Sequence, residues 1–416
     1  MTGDARTMPL GPDEMIALFQ TGVAAADPVK AVTDSLAKAP VTPPASGKLY
    51  VLGLGKAACA MTQAALAHLP QPAAVLVVTN YENARDVAGA RVLPAGHPVP
   101  DENGLRAAQE VEALLAQASA QDRVLVLVSG GGSALLPAPV EGVSLRDKAE
   151  VNRLLLGAGL DIGQINAVRQ HLSRLKGGGL LRQAAPAPVT ALILSDVIGD
   201  DLRAIASGPT AAPLMERGAV VEMLKDYGLW EKLPPAACAA LCRAQDPAPL
   251  PQADNRLIGS NRLSLDAMLH ARPEARIVSD ALVGDVAQAA EQIVAHATTG
   301  TGPLALFGGE TTVILRGDGR GGRNQELALR VAIALQGQSG WRFLSGGTDG
   351  RDGPTEAAGG LVDGGTVARI RAAGGDPEAL LANNDSNRAL GLAGDLLTIG
   401  ATGTNVADLQ ILSRAP

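Results

Sequence analysis

Short apolar runs that alternate with helix-length patterns constrain this chain more than any other feature. Leu49–Leu54, in KLYVLGLGK, reads as a buried strand that runs straight into an Ala-rich helical stretch from Ala57 to His68. Strand-like runs follow at Ala74–Val78, Arg123–Val128 and Val189–Leu194. Helical patterns lie between them at Glu102–Ala116, Leu145–Leu156 and Ile162–Leu175. One apolar run flanked by glycine is ambiguous, but its repetition with helices between is the pattern of a parallel sheet covered by helices.

A chain of 416 residues fits two domains or one large one. Residues 12 to 38 read as helical with a break at Pro28. From Ala211 to Arg243 the pattern is helical and Pro-rich, and Ala244–Asp254, AQDPAPLPQAD, reads as a linker. A second α/β pattern follows, with strands at Arg276–Ser279, Leu304–Phe307, Thr311–Leu315 and Trp341–Leu344 and a helix from Asp285 to Ala297. The C-terminal DLLTIGATGTNVADLQILS reads as strand, glycine turn, strand.

Composition removes several function classes. Aromatic residues are 2% of the chain and the net charge is −7, which argues against a base-stacking nucleic-acid surface. Any anion site must therefore be built locally. Cys59, Cys238 and Cys242 form no framework and read as core thiols in a reducing cytoplasm. The N-terminal MTGDARTMPLGPDEM lacks the apolar segment of a signal peptide, and no apolar run is long enough to span a bilayer. No HExxH, CxxC or GxSxG motif occurs, and His68, His97, His171, His270 and His296 are scattered.

The chemistry concentrates on glycine loops. GDGRGGRNQE, Gly317–Glu326, puts Arg323 between loose backbone and the helix-like LALRVAIAL, so that backbone N–H groups and a cation can converge on an anion. Glu310 stands just upstream, and Asp349 and Asp352 just downstream. Gly53-Leu-Gly-Lys56 follows the first strand; its lysine at a helix start can neutralise a phosphate or carboxylate, though the loop is not a P-loop. Ser129, Gly130, Gly131, Gly132 and Ser133 follow a strand, where open α/β sheets place ligands. Asn166, Arg169 and Ser173 share one helix face, with Lys176 in the last turn before a glycine stop. Asp196 closes another strand and can hold Mg²⁺ or accept a hydroxyl proton. Each loop read singly is also a plain turn, and Ser260–Asn261 and Asn383–Ser386 also read as helix caps.

Together these segments resemble the glycerate 2-kinase family, whose C-terminal part is the MOFRL domain and some of whose members are labelled hydroxypyruvate reductase. The resemblance rests on GLGKAA (Gly53–Ala58), VSGGGSALLPAP (Val128–Pro139), INAVRQHLSRLKGG (Ile165–Gly178) and LSDVIGDDLRAIASGPT (Leu194–Thr210). It continues through GGETTV (Gly308–Val313), GRGGRNQELAL (Gly319–Leu329), SGGTDGRDGPTEAAGG (Ser345–Gly360), NNDSN (Asn383–Asn387) and GATGTNVADL (Gly400–Leu409). Gln170 stands where the family pattern leads one to expect a second basic residue.

The resemblance implies two α/β domains, a Rossmann-like one over residues 1–248 and a MOFRL-type one over 249–416, with the active site in an interdomain cleft. It implies a cytoplasmic enzyme that uses ATP and Mg²⁺ to phosphorylate the 2-hydroxyl of D-glycerate. Its partners would be those small molecules, with no nucleic acid or membrane and with a homodimer left open. Lys56 and Arg323 match the family's two basic active-site positions, and Asp196 joins them as a catalytic candidate. Lys176 and Asn324 are further substrate-binding candidates. The Ser129–Ser133 loop and Asn384 are nucleotide-binding candidates, and Asp196, Glu310 and Asp349 are metal candidates. The competing activity is an NAD(P)H-dependent hydroxypyruvate reductase, which needs a dinucleotide fingerprint; Gly53-x-Gly lacks the third glycine and the region around Ala73 is apolar. Removing the Arg323 charge is expected to cost on the order of a hundredfold in turnover. A near-normal kinase rate in Arg323→Ala would overturn the central assignment.

Overall fold

The computed structural model describes residues 8–244 and 248–415. The chain divides into two compact units: Pro28–Ile258, and the stretch through Asp27 together with everything from Gly259 onward.

The Pro28–Ile258 unit holds the expected parallel sheet. Its strands are β1 (Leu49–Leu54), β2 (Ala74–Asn80), β3 (Arg91–Ala95), β4 (Arg123–Val128), β5 (Val189–Leu194) and β6 (Ala253–Gly259), in the spatial order β3-β2-β1-β4-β5-β6. The pairings of β1 with β2 and β4, of β2 with β3 and of β4 with β5 are all parallel. β1 is buried at every position, as a strand with helices on both faces must be. Tyr50, Leu52 and Leu54 pack with Val111, Leu115, Val126 and Leu180 in one core. β3 escapes sequence reading because RVLPA is short and carries Pro94, which suits an edge strand.

The other unit is a mixed sheet. β7 (Ala275–Ser279), β9 (Leu304–Gly309), β11 (Trp341–Gly347), β12 (Gly359–Asp363), β13 (Leu396–Leu397) and β14 (Asp408–Arg414) lie in the order β13-β12-β11-β14-β9-β7. Only β7 and β9 pair in parallel among the described pairings; the rest are antiparallel. A small parallel pair joins β8 (Gly284–Asp285) to β10 (Thr311–Thr312), so the strand expected over Thr311–Leu315 is only its first two residues.

These units do not follow the expected division at 248/249. β6 extends the first sheet past the expected linker, of which residues 245–247 lie outside the described residues. At the other end, the break at Pro28 separates two helices, Pro12–Ala25 and Pro28–Lys38, and the first belongs to the second unit. The reason is burial. Met15, Leu18, Phe19 and Gly22 form one face of the Pro12–Ala25 helix at three- and four-residue spacing. That face packs with Leu265, Met268, Leu306, Leu344 and Ile411. Cys59 is buried as expected, whereas Cys242 is exposed: it follows the last turn of the Pro235–Leu241 helix rather than facing its core. Among the described residues no helix is long and apolar enough to cross a membrane.

Phe19 is fully buried, and its ring lies where a side chain on Gly346 of β11 would stand. Phe19→Ala is expected to cost about 3–5 kcal/mol, as for other buried aromatics. Guanidinium unfolding, with protease cleavage followed separately in each unit, should show the loss in the C-terminal unit.

Candidate active site

β1 and β4 are neighbours at the point where the strand order reverses, the place at which open α/β sheets bind ligands. Their two loops are laced together there. Lys56 N donates to Gly130 O at 2.9 Å, Ala57 N to Ser129 Oγ at 3.1 Å, and Ser129 N to Leu54 O at 2.8 Å. Gly55 has φ of +118°, and a Cβ on it would stand 2.4 Å from Ser129 O, so no other residue fits. A Cβ on Gly130 would stand 2.2 Å from Asp196 Oδ2, which brings the end of β5 against the same loop. The position a Cβ would take on Gly131 lies 3.2 Å from both Lys56 Cε and His97 Cδ2.

The structure therefore brings together Lys56, Asp196 and Ser129–Ser133, all expected from sequence, and adds His97. Burial raises the Asp196 pKa, opposed by its own backbone N–H and by Lys56. Burial and then Lys56 lower that of His97, opposed by Glu82. His97 gave no signal because an isolated histidine in AGHPVP has no motif around it.

Lys176 is not in the last turn of a helix. The helix stops at His171 because the next residues pair with the segment after the triple-glycine loop: Val140 N donates to Leu172 O, and Arg174 N to Ala138 O at 2.9 Å. Lys176 is thereby turned inward, where its Nζ donates to Ser133 O at 2.6 Å and Ser133 Oγ at 3.1 Å. Ser133 Oγ in turn shares a 2.7 Å hydrogen bond with Ser207 Oγ. Burial, then the charges of Lys148 and Arg169, hold Lys176 well below the usual lysine range. Ser173 leaves the helix face it was expected to share, while Arg169 still donates to Asn166 Oδ1 at 3.2 Å. Gln170 clamps a neighbouring loop: it donates to Arg203 O and Ser207 O and accepts from Leu214 N. That work needs an amide with both a donor and an acceptor, which a basic residue lacks.

In the C-terminal unit, Arg323 opens the helix Arg323–Ala334 as expected, but its partners are the protein's own acids. Its Nε and one terminal nitrogen hold Asp408 at 2.6 and 3.0 Å, and the other nitrogen meets Glu310 at 2.8 Å. Burial opposes the Arg323 charge, but bonding to Asp408 raises its pKa overall. The helix N-terminus, expected to hold an anion, holds Asp352: Asn324 N donates to Oδ1 at 3.1 Å and Gln325 N to Oδ2 at 2.8 Å. Burial pushes Asp352 up to about 6 against those two bonds. Asp408 was invisible in sequence because eighty-five positions separate it from Arg323.

The remaining candidates serve mainly as struts. Asn324 is buried, accepts from Ser345 Oγ at 2.6 Å and is held by Asp352. Asn384 accepts from Arg316 N and Gly317 N and donates to Glu326 Oε2, fixing the loop before Arg323. Asp349 Oδ1 accepts from Arg351 N. Arg323, Asp349, Asp352 and Asn384 line a cavity of about 690 Å³. Glu310 and Asp349 belong to the C-terminal unit and Asp196 to the other. Among the described residues no group of three His, Cys, Asp or Glu side chains could hold a metal ion. A Mg²⁺ bound through one or two carboxylates plus phosphate oxygens and water needs no such group, and half-buried Asp196 beside the triple-glycine loop fits that mode.

Two family profiles match the chain: a domain of unknown function, DUF4147, over residues 14–242, and the MOFRL family over residues 303–408. A D-glycerate 2-kinase of Thermotoga maritima is 39% identical over 410 residues, 95% of this chain and 96% of that protein. A protein of Agrobacterium vitis with the provisional name hydroxypyruvate reductase is 39% identical over 95% of this chain and 92% of its own. A crystal structure of a glycerate kinase from Thermotoga maritima superposes with a TM-score of 0.89 at 38% identity, over 96% of this chain and 98% of that one.

The arginine cluster makes an asymmetric stability prediction. The Asp408 side chain is 1% exposed and that of Glu310 is 45% exposed. Arg323→Ala strands a buried carboxylate and is expected to cost about 3–5 kcal/mol. Glu310→Ala removes only the exposed partner and is expected to cost about 0–1 kcal/mol. Urea midpoints of the two variants measure the difference.

Proposed function

The chain belongs to the glycerate 2-kinase family, and on that premise we propose that it transfers the γ-phosphate of ATP to the 2-hydroxyl of D-glycerate, giving 2-phosphoglycerate. The observation that carries this reading is the switch-point cluster: Lys56, Asp196 and the triple-glycine loop, interlocked at the ends of three parallel strands. Phosphoryl transfer requires mainly positioning and charge neutralisation, and those are what such a cluster supplies.

Lys56 neutralises charge developing on the transferred group. Asp196 is the acceptor for the 2-hydroxyl proton, and burial raises its pKa against its own backbone N–H and Lys56. Asp196 would be the carboxylate to hold a Mg²⁺ ion, which would supply charge neutralisation on the phosphates. Arg323 presents a planar fork suited to a carboxylate or phosphoryl group. Asp408 fixes that fork from its buried side, and Glu310 is the exchangeable partner, since its side chain is the exposed one.

The reductase reading retains one supporting feature. Gly53-Leu-Gly-Lys-Ala-Ala58 fits a dinucleotide turn with alanine in the third place, on a sheet of the corresponding order. The position that would hold an acid for a ribose is the end of β2, not Ala73. It is occupied by Asn80, which accepts from Asn83 and donates to Glu82. A neutral amide there disfavours that reading.

Two parallel assays decide between them. With D-glycerate and Mg-ATP, ADP release should depend on glycerate; with hydroxypyruvate and NADH or NADPH, absorbance should stay constant. Lys56→Met should lower kcat about a hundredfold or more while the fold is retained. Nicotinamide oxidation without glycerate-dependent ADP release would establish the reductase instead.

A further inference from the structure

Beside the triple-glycine loop, the Pro28–Ile258 unit contains a cavity of about 590 Å³ with an unusual charge balance. Lys148, Arg153, Arg169 and Lys176 all line it and no Asp or Glu does; Arg153 is paired with Glu150 outside the lining, which leaves Lys148, Arg169 and Lys176. None of the three forms an ion pair among the described residues. Lys148 Nζ donates to Pro137 O at 2.6 Å and Leu172 O at 3.2 Å, Lys176 to Ser133, and Arg169 to Asn152 and Asn166. All of these acceptors are neutral. Burial, then the neighbouring charges of Arg169 and Arg174, push Lys148 down to about 7. In their charged forms these three groups repel one another and meet only neutral oxygens, a cost that a bound anion offsets.

The cavity also has an apolar lining. Pro98, Val99, Pro100, Leu145 and Leu156 line it, with Val99 73% exposed and Leu156 58% exposed. Neither of these last two is covered by the protein itself. Gly131 and His97 also line the cavity, and they are the residues that stand against Lys56. The volume falls in the usual range for nucleotide-sized ligands, and a three-carbon acid fills only a small part of it.

We propose that this cavity is a nucleoside triphosphate site, with the polyphosphate on Lys148, Arg169 and Lys176 and the base against Pro98, Val99, Pro100 and Leu156. The assignment rests on the kinase reading for the nature of the reaction, and adds where the nucleotide binds and through which residues. Ser133 and Gly131 reach the cavity as parts of the triple-glycine loop, so the loop borders the phosphates rather than holding them unaided. Lys176, expected from sequence to touch the acid substrate, belongs by this assignment to the nucleotide. Gly131, which lines the cavity, has Lys56 Cε beside it, and a terminal phosphoryl group has to arrive near that side chain.

Calorimetric titration of the full chain with ATP, inorganic tripolyphosphate and adenosine tests the two halves of the site separately. Lys148→Met and Arg169→Gln should each weaken ATP and tripolyphosphate about tenfold or more. Leu156→Asp should weaken ATP and adenosine while leaving tripolyphosphate within about twofold, and it sits on an exposed position, so folding is not at risk. Unchanged ATP affinity in all three variants would overturn the assignment, as would a wild-type protein that binds ATP but not tripolyphosphate. Because binding is the readout, the two readings fail separately. ATP binding lost in the variants, in a protein that never phosphorylates glycerate, keeps the site and removes the kinase. Glycerate phosphorylation by a protein whose variants bind ATP normally does the reverse.

Discussion

The hydrogen bond from Lys56 N to Gly130 O, with its companions from Ala57 N to Ser129 Oγ and Ser129 N to Leu54 O, ties the end of β1 to the end of β4. The rest of the candidate site depends on that lacing. It requires two backbones to approach so closely that Gly55 has no room for a side chain. It directs Lys56 across the triple-glycine loop and sets Asp196 against the same loop from β5. The parallel sheet makes the approach possible: β1 pairs with β4 in register along its whole length, so both strands end at the same height.

The two units solve the problem of a buried charge in opposite ways. Around Arg323 the protein provides its own anions: Asp408 from a buried strand start, Glu310 from the surface, and Asp352 at the helix N-terminus. There the carboxylates outnumber the cation. Around Lys148, Arg169 and Lys176 the protein provides only carbonyl, amide and hydroxyl oxygens. Those cations remain electrostatically unsatisfied, and a site of that kind gains affinity for any anion whose charge it can share.

Much of this was legible from sequence, for definite reasons. The strands β1, β2, β4 and β5 showed because fully buried parallel strands are continuous apolar runs. Lys56, Asp196 and the Ser129–Ser133 loop showed because each directly follows such a run, where ligands gather. Arg323 showed because an arginine directly follows a glycine loop at a helix start. Other features had no local signature. Lys148 lies on an ordinary amphipathic helix pattern, and His97 and Asp408 stand alone. Lys176 stands out in the sequence but its place does not: a lysine before three glycines has the local appearance of a helix end. Pairing of the Pro139 region with Ser173 ends the helix early instead and turns Lys176 inward.

The amino-acid sequence by itself determined the alternation of strand and helix, the parallel character of the first sheet, the family, and the loops that carry glycine and charge. These are local properties: periodicity, backbone freedom and residue type at strand ends. Only the tertiary structure decided that the first helix belongs with the C-terminal sheet. It also decided that Asp408 and Asp352 occupy the contacts expected for a ligand anion, and that three cations from separated segments face one acid-free cavity. The physical reason is the same in each case. Burial and Coulomb interaction depend on distance in space, and for residues tens of positions apart no pattern along the chain records that distance.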